Sequence, residues 1–319
     1  MPKIDNPRME STTSSRGGVI LKSDNTGFSP MMATRSGGPR VGIGTRISRG
    51  WRVTKLGFSV IRADPEIIVY MLFSGIMSMM AAIGLLVVTG GMGFFLEGEE
   101  SSQVVGLAGT FMSYMAVAVI TVFWNAAIIA SSHQRLTTGE NPSFSYGIKQ
   151  ATKRLPQIIL WGLVSGTVGI LIRSIESLSE SKNMGVAALG MVVSWILRAA
   201  WWITTFFVVP MIVLDNLGVG ESMSKSPELF KKTWGENVVS MVGTGLIGFL
   251  VTLLIVLVCL PLFALGDLGI GLGILVILAG VILSTLFFSA CESVNRASLY
   301  HFAKTGEAPP LAKKYGLEF

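Results

Sequence analysis

The sequence predicts an all-α fold, a polytopic membrane bundle of six transmembrane helices arranged as three hairpins. Each hairpin is expected to follow an amphipathic helix on the cytoplasmic side of the membrane. Half of the 319 residues are apolar and 14% are charged, whereas soluble domains carry about 25% charged residues. Long apolar runs alternate with short basic segments, which is typical of a chain that crosses a membrane several times.

The apolar runs give the number of spans. A bilayer core of about 30 Å requires about 20 apolar residues in a helix. Five runs reach or nearly reach this length, and a shorter sixth run continues amphipathically to Leu178. The backbone inside lipid must pair its own amides, so each span is predicted to be helical. The predicted spans are 67–95, 104–130, 158–178, 186–214, 238–263 and 271–290.

The distribution of Lys and Arg predicts the orientation. With the N-terminus inside, the cytoplasmic segments carry 22 of the 25 cations and the outer loops carry two. The remaining cation, Arg198, lies within a span. Positive residues accumulate on the cytoplasmic side of membrane proteins. We therefore predict a multi-pass protein of the cell membrane with both termini in the cytoplasm.

Charge and composition also divide the chain. Residues 1–66 hold 11 cations and 5 anions, whereas the rest of the chain is neutral. Residues 1–45 have too few large apolar residues for a core, so they are predicted to be a disordered, basic cytoplasmic tail. Residues 46–311 form the predicted membrane domain and 312–319 a C-terminal tail. A basic tail beside a membrane favours anionic lipid as its partner. Nucleic-acid binding is not predicted, because aromatic and basic residues do not alternate in the tail.

A repeat in three copies supports the hairpin arrangement. A short basic amphipathic segment ends at a helix breaker before each outward-going span, and the breakers are Pro65, Pro156 and Gly235. A cation lies three residues before each breaker. The sequence TGENP at 138–142 is also echoed by TGEAP at 305–309.

These basic segments predict contact with lipid headgroups. Interfacial helices lie at headgroup level, with cations toward phosphate and apolar side chains toward the acyl region. The first segment is the longest, with an apolar face predicted at Ile47, Trp51, Thr54, Phe58 and Ile61. The predicted headgroup contacts are Arg46, Arg49, Trp51, Arg52, Lys55, Arg62, Lys153 and Lys232.

Several motifs carry a family resemblance. They are GWRV at 50–53, VIRADPE at 60–66, TTFFVVP at 204–210, KTWGE at 232–236, ASLY at 297–300 and TGE at 305–307. Together they resemble a family of uncharacterised six-helix prokaryotic membrane proteins over about residues 46–311. The chain also looks distantly similar to the membrane-anchor domains of glycerophosphodiester phosphodiesterases. The resemblance implies a fold and a location in the membrane, and it implies no activity.

The sequence contains no motif that predicts an enzyme or a cofactor site. The two histidines, His133 and His301, follow spans two and six, and a histidine at headgroup level is the simpler interpretation. Paired Cys-x-x-Cys, His-Glu-x-x-His and Walker motifs do not occur. Cys259 and Cys291 are predicted to lie near opposite ends of adjacent spans, too far apart to pair. A non-enzymatic protein without metal or cofactor is therefore predicted.

Arg198 leaves two interpretations open. A charge inside a span is a functional hypothesis by default, but an arginine near a span end can also extend its guanidinium to the interface. Polar residues are otherwise sparse in the spans. We therefore predict a protein that organises lipid or other membrane proteins. The alternative is a carrier for a small or lipidic solute that uses Arg198 as an anion anchor. The sequence does not determine the oligomeric state.

Overall fold

The computed structural model describes residues 43–95, 99–180 and 183–317, and every regular element within these ranges is helical. The all-α prediction is therefore confirmed for this part of the chain. Short 3-10 segments at Ser177–Glu180 and Leu260–Leu265 precede α6 and α9. The helices are α1 (Ile43–Ala63), α2 (Glu66–Phe95), α3 (Glu99–Thr138), α4 (Phe144–Lys153), α5 (Leu155–Glu176), α6 (Met184–Thr205), α7 (Val208–Leu214), α8 (Val219–Cys259), α9 (Gly266–Thr305) and α10 (Pro310–Lys314).

Five helical stretches of the described chain are long and apolar enough to cross a membrane. The fifth is much longer than the others, because it contains both α8 and α9 with the 3-10 segment between them. The stretches are Glu66–Gly91, Val104–Thr138, Leu155–Glu180, Met184–Leu214 and Val219–Thr305.

Each predicted helix breaker coincides with a break in the helical backbone. Asp64 separates α1 from α2. Arg154, between α4 and α5, has φ −112° and ψ 16°, and Thr233 inside α8 has nearly the same conformation, φ −122° and ψ 17°. The third break therefore falls two residues before Gly235, as the second falls two residues before Pro156. This shared geometry supports the repeat that the sequence predicted.

The hydrophobic core lies at one end of the long helices, which we call the basal end. There α2 and α5 begin and α3, α7 and α9 finish, and their buried side chains pack in one cluster. Ile67 and Ile158 come from the two helix starts, and Leu136, Val213 and Ala297 from the three helix ends. We call the opposite end, where α6 and α9 begin, the distal end.

Large apolar side chains cover the surface of the helices away from the basal end. In Glu66–Gly91, only 11% of the most apolar 18-residue segment is buried. The corresponding values are 6% in Val219–Thr305 and 50% in Val104–Thr138. A soluble protein rarely exposes contiguous apolar surface of this extent. The exposed side chains are those expected of helices that face lipid.

The helix α6 ends where a proline removes a backbone hydrogen bond. Pro210 cannot donate to the carbonyl of Phe206, and the chain breaks at Phe206 and Phe207 before α7 begins. At the same break, the N–H of Phe207 donates to Ser226 Oγ at 3.1 Å. Pro210 therefore interrupts the helix between α6 and α7.

Small and polar residues bring the long helices together at two places. Gly162, Gly166 and Gly169 bring α5 against α3 so closely that a methyl group at any of them would meet Val119, Met115 or Tyr114, respectively. Asn125 makes an interhelical hydrogen bond, accepting from Ser293 Oγ at 3.2 Å. Cys259 and Cys291 are free thiols, as predicted.

The two predicted tails fall partly outside the described chain. The tail 1–45 is described only from Ile43, where α1 begins. Part of the predicted C-terminal tail belongs to α10, whose Leu311 and Ala312 are buried in the basal core.

Candidate functional site

Helix α1 presents one face to the protein and an apolar edge to its surroundings. Leu56 and Val60 are fully buried in the basal core, and Val53 is fully buried in a second, smaller apolar cluster. Ile47 and Trp51 are 51% and 42% exposed, although the sequence placed them with Thr54 and Ile61 on one apolar face. Thr54 is buried and donates to the carbonyls of Gly50 and Ser240. The apolar surface of α1 is thus wider than predicted, and only its outer edge is available to lipid.

Two of the predicted headgroup cations contact protein. Arg49 Nη1 lies 3.6 Å from the carboxylate of Glu236, which is buried at the start of the apolar part of α8. The guanidinium of Arg46 lies 5.7 Å from the ring centroid of Trp234, and its stem packs against Gly235. The pairing of Arg49 with Glu236 was not predicted from the sequence, because α1 and α8 are distant along the chain.

The remaining cations of α1 lie at the surface. Arg52, Lys55 and Arg62 are all exposed, and Lys55 Nζ lies 6.0 Å from the ring centroid of Trp51. An exposed tryptophan flanked by cations matches the amphipathic chemistry of a membrane–water interface.

The second and third breaks share an exposed pair of residues. Lys153 is followed two positions later by exposed Leu155, and Lys232 by exposed Trp234. Each pair lies where an amphipathic segment meets a long apolar helix. A cation beside an apolar side chain can bind a phosphate and insert into the acyl region at the same point.

Asp64, at the first break, is buried between α1 and α2. Loss of hydration on burial raises the pKa of its carboxyl above its ordinary value of 3.8, while the nearby charge of Arg135 and a hydrogen bond from the Glu66 backbone N–H act in the opposite direction. One carboxylate oxygen, Oδ1, has no hydrogen-bond partner among the described residues. Asp64 therefore caps the start of α2 at an electrostatic cost.

Arg198 lies in a recess at the distal end. Its guanidinium pairs with Glu176, the last residue of α5. The recess, of about 360 Å³, is also lined by Arg173 of α5, Tyr114 of α3 and Trp201 of α6. The sequence identified Arg198 but neither its partner nor Arg173. A sequence signal did exist, since each of the two neighbouring spans 158–178 and 186–214 contains a single cation, Arg173 in one and Arg198 in the other.

The two histidines lie together at the basal end. The ring centroids of His133 and His301 are 5.8 Å apart. Nearby, Asp215 accepts hydrogen bonds from Tyr300 Oη at 2.5 Å and Lys304 Nζ at 2.7 Å. These bonds tie α9 to the segment after α7. In the described chain, no group of three or more His, Cys, Asp or Glu side chains is placed to hold a metal ion.

Polar side chains that the sequence analysis overlooked line a cleft of about 280 Å³ between α8 and α9. At its basal end, Asn295 Nδ2 donates to Thr244 Oγ1 at 3.2 Å. Buried Asn237 makes no side-chain hydrogen bond with any described residue. A periodic signal was present, because polar or small residues recur every fourth position on one face of α8. They are Glu236, Ser240, Thr244, Gly248 and Thr252.

The fold and these surfaces define an all-helical protein whose helices can cross a membrane. Residues 104–309 match the model of a family of unknown function (DUF6159), and the chain belongs to that family. The match begins within α3 and extends past α9, so it includes Arg173 and Arg198 but not α1. No curated protein matches the chain. The predicted distant similarity to the membrane anchors of glycerophosphodiester phosphodiesterases has no support in these matches.

Proposed function

We propose that this protein is a non-enzymatic, six-span membrane protein that binds anionic lipid headgroups at its basal end and thereby organises lipid around it. The observation that carries the proposal is the repeated pair at the breaks, Lys153 with Leu155 and Lys232 with Trp234. Both pairs are exposed in equivalent positions, where an amphipathic segment meets a span. Arg52 and Lys55, beside Trp51, add a third surface of the same chemistry.

The proposed number of six spans treats α8 and α9 as two separate crossings of the membrane. α9 has 40 residues, a length of about 60 Å at 1.5 Å per residue, which exceeds the bilayer core. The part of α8 after Thr233 is also long enough to cross. With the basal end in the cytoplasm, the cations at the three breaks face the leaflet that is rich in anionic lipid.

The alternative function, a carrier that uses Arg198, has weaker support. Arg198 is held in an ion pair with Glu176, the last residue of α5. Trp201, which lines the recess, stacks on buried Trp161 at 5.7 Å between ring centroids. This stack packs α6 against α5 on the basal side of the recess, so the geometry favours fixed binding over passage between these two helices.

Lipid titration of the purified full-length protein, followed by native mass spectrometry, tests the headgroup proposal. Phosphatidylglycerol should bind more tightly than phosphatidylcholine. Changing Lys153→Gln and Lys232→Gln together should weaken phosphatidylglycerol binding about thirtyfold, because each cation near an anionic surface contributes about 1 kcal/mol.

A matched control is Lys225→Gln on α8. Lys225 is exposed like Lys232, but it forms an ion pair with Glu221 one turn away at 2.6 Å. Its loss should leave lipid binding unchanged. Equal binding of both lipids, or equal weakening by Lys225→Gln and by the double variant, would contradict the proposal.

A further inference from the structure

The distal recess lies next to a second groove in the protein surface. The groove, of about 240 Å³, lies between α3 and α5 and shares Tyr114 with the recess. Its walls are Val117, Thr121 and Val122 of α3, with Ser165 and Gly166 of α5. These residues lie one to two turns nearer the basal end than Tyr114 and Gly169. A charged recess is therefore bordered on its basal side by a largely apolar groove between α3 and α5.

The recess carries a net positive charge. It contains the guanidinium groups of Arg173 and Arg198, against the single carboxylate of Glu176. The side chain of Arg173 is exposed and has no hydrogen bond or ion pair with any described residue. Guanidinium groups bind phosphate oxygens through paired N–H donors, and an arginine pair suits a phosphate group better than a neutral headgroup.

The depth of the recess matches a lipid headgroup. Helix α5 has 22 residues, or about 33 Å, close to the thickness of a bilayer core. Arg173 and Glu176 lie in its last turn, so the charged recess falls at headgroup level. The groove beside Val117 and Val122 then falls within the acyl region. Trp201 and Tyr114 lie between the two, as aromatic side chains do at membrane interfaces.

We propose that Arg173 and Arg198 bind the phosphate of one anionic phospholipid from the leaflet at the distal end, and that an acyl chain of this lipid occupies the groove between α3 and α5. The occupant is a lipid rather than a free anion, because an apolar groove at acyl depth lies directly beside the recess. This site is separate from the basal headgroup contacts and does not depend on them.

The charge arm of the test titrates the full-length protein with dioleoyl phosphatidylglycerol and reads occupancy by native mass spectrometry. Arg173→Gln should weaken binding about fivefold, the size expected for one cation near an anionic headgroup. This variant breaks no ion pair among the described residues, so it should remain folded. Glu176→Gln should strengthen binding, because it removes the carboxylate that pairs with Arg198. Unchanged affinity in both variants would overturn the proposal.

The groove arm separates a lipid from a small anion. Thr121 is exposed at the groove wall, so Thr121→Phe should fill the groove without disturbing the core. The substitution should weaken the binding of dioleoyl phosphatidylglycerol several-fold. It should leave the binding of the short-chain dihexanoyl lipid unchanged. If Thr121→Phe weakens neither lipid, or if millimolar inorganic phosphate displaces the dioleoyl lipid, the site binds a small anion and the lipid proposal is wrong.

A background variant keeps this test independent of the basal proposal. The Arg173→Gln and Glu176→Gln effects should persist when Lys153→Gln and Lys232→Gln are also present. If they disappear in that background, the lipid measured was bound at the basal end and the distal site is not supported.

Discussion

Arg49 of α1 and Glu236 of α8 form an ion pair at 3.6 Å, in which the Glu236 side chain is 4% exposed and the Arg49 side chain 31%. One oxygen of Glu236, Oε2, has no hydrogen-bond partner among the described residues. The pair joins the first amphipathic helix to the start of a span, so part of the basic surface of α1 serves the fold. A buried carboxylate with one partner is sensitive to the loss of that partner.

Arg49→Gln should therefore lower the free energy of unfolding by about 1–2 kcal/mol. This is less than the 3–5 kcal/mol for a fully buried pair, because Arg49 is partly hydrated. Thermal unfolding in detergent measures the effect. Lys55→Gln on the same helix should change stability by less than about 0.5 kcal/mol. Adding Glu236→Gln to Arg49→Gln should restore part of the loss, and strict additivity of the two changes would show that the pair has no coupling.

Gly57 of α1 packs directly against α9. A methyl group there would overlap Asn295 Oδ1 and lie 3.2 Å from the carbonyl of Cys291. Gly57→Ala should destabilise the protein by about 1–3 kcal/mol, the usual cost of overpacking. Gly245→Ala in α8 is the matched control, because nothing lies within 4 Å of its added methyl. The control should stabilise slightly through helix propensity. Equal melting temperatures for the two variants would contradict the predicted close contact.

The raised pKa of Asp64 predicts a pH dependence. Burial favours the protonated carboxyl in the folded state, whereas the unfolded group titrates near 3.8. Between that value and the higher folded pKa, the folded protein binds more protons, so stability falls as the pH rises. Asp64→Asn keeps an acceptor for the Glu66 N–H and cannot ionise, so it should flatten this slope and melt higher at pH 7. Arg135→Gln should steepen the fall of stability with pH, because it removes a charge that lowers the pKa of Asp64. Melting curves from pH 4 to 7.5 that are parallel for all three proteins would exclude this role of Asp64.

The six-span topology predicts opposite labelling at the two ends of α9. With Cys259 and Cys291 replaced by Ala, single cysteines at Asp267 and Thr305 should react with a membrane-impermeant maleimide from opposite sides. A cysteine at Ser102 should behave like the one at Asp267. If the cysteines at Asp267 and Thr305 are labelled from the same side, α9 does not cross the membrane. The protein would then have five spans or fewer.

The sequence by itself determined the helical class and the positions of the long helices. Apolar runs of span length leave few alternatives to a helix, because backbone amides inside lipid must pair within their own segment. Local chemistry also located the breaks, since Pro65, Pro156 and Pro210 restrict the backbone wherever they occur. Spacing by four residues also places Gly162 and Gly166 on one helix face, and this face packs against α3.

Only the tertiary structure decided which charges and polar groups meet. Glu236 pairs with Arg49, and Glu176 with Arg198, because helix packing brings together residues that no local spacing connects. The same packing determined which face of α1 is buried. Its periodicity placed Ile47, Trp51, Thr54 and Ile61 on one face toward lipid, whereas the fold buries Thr54 and Ile61 in the protein and leaves Ile47 and Trp51 exposed. An amphipathic pattern determines that a helix has an apolar face, but the shape of its neighbours determines which residues of that face lose contact with solvent or lipid.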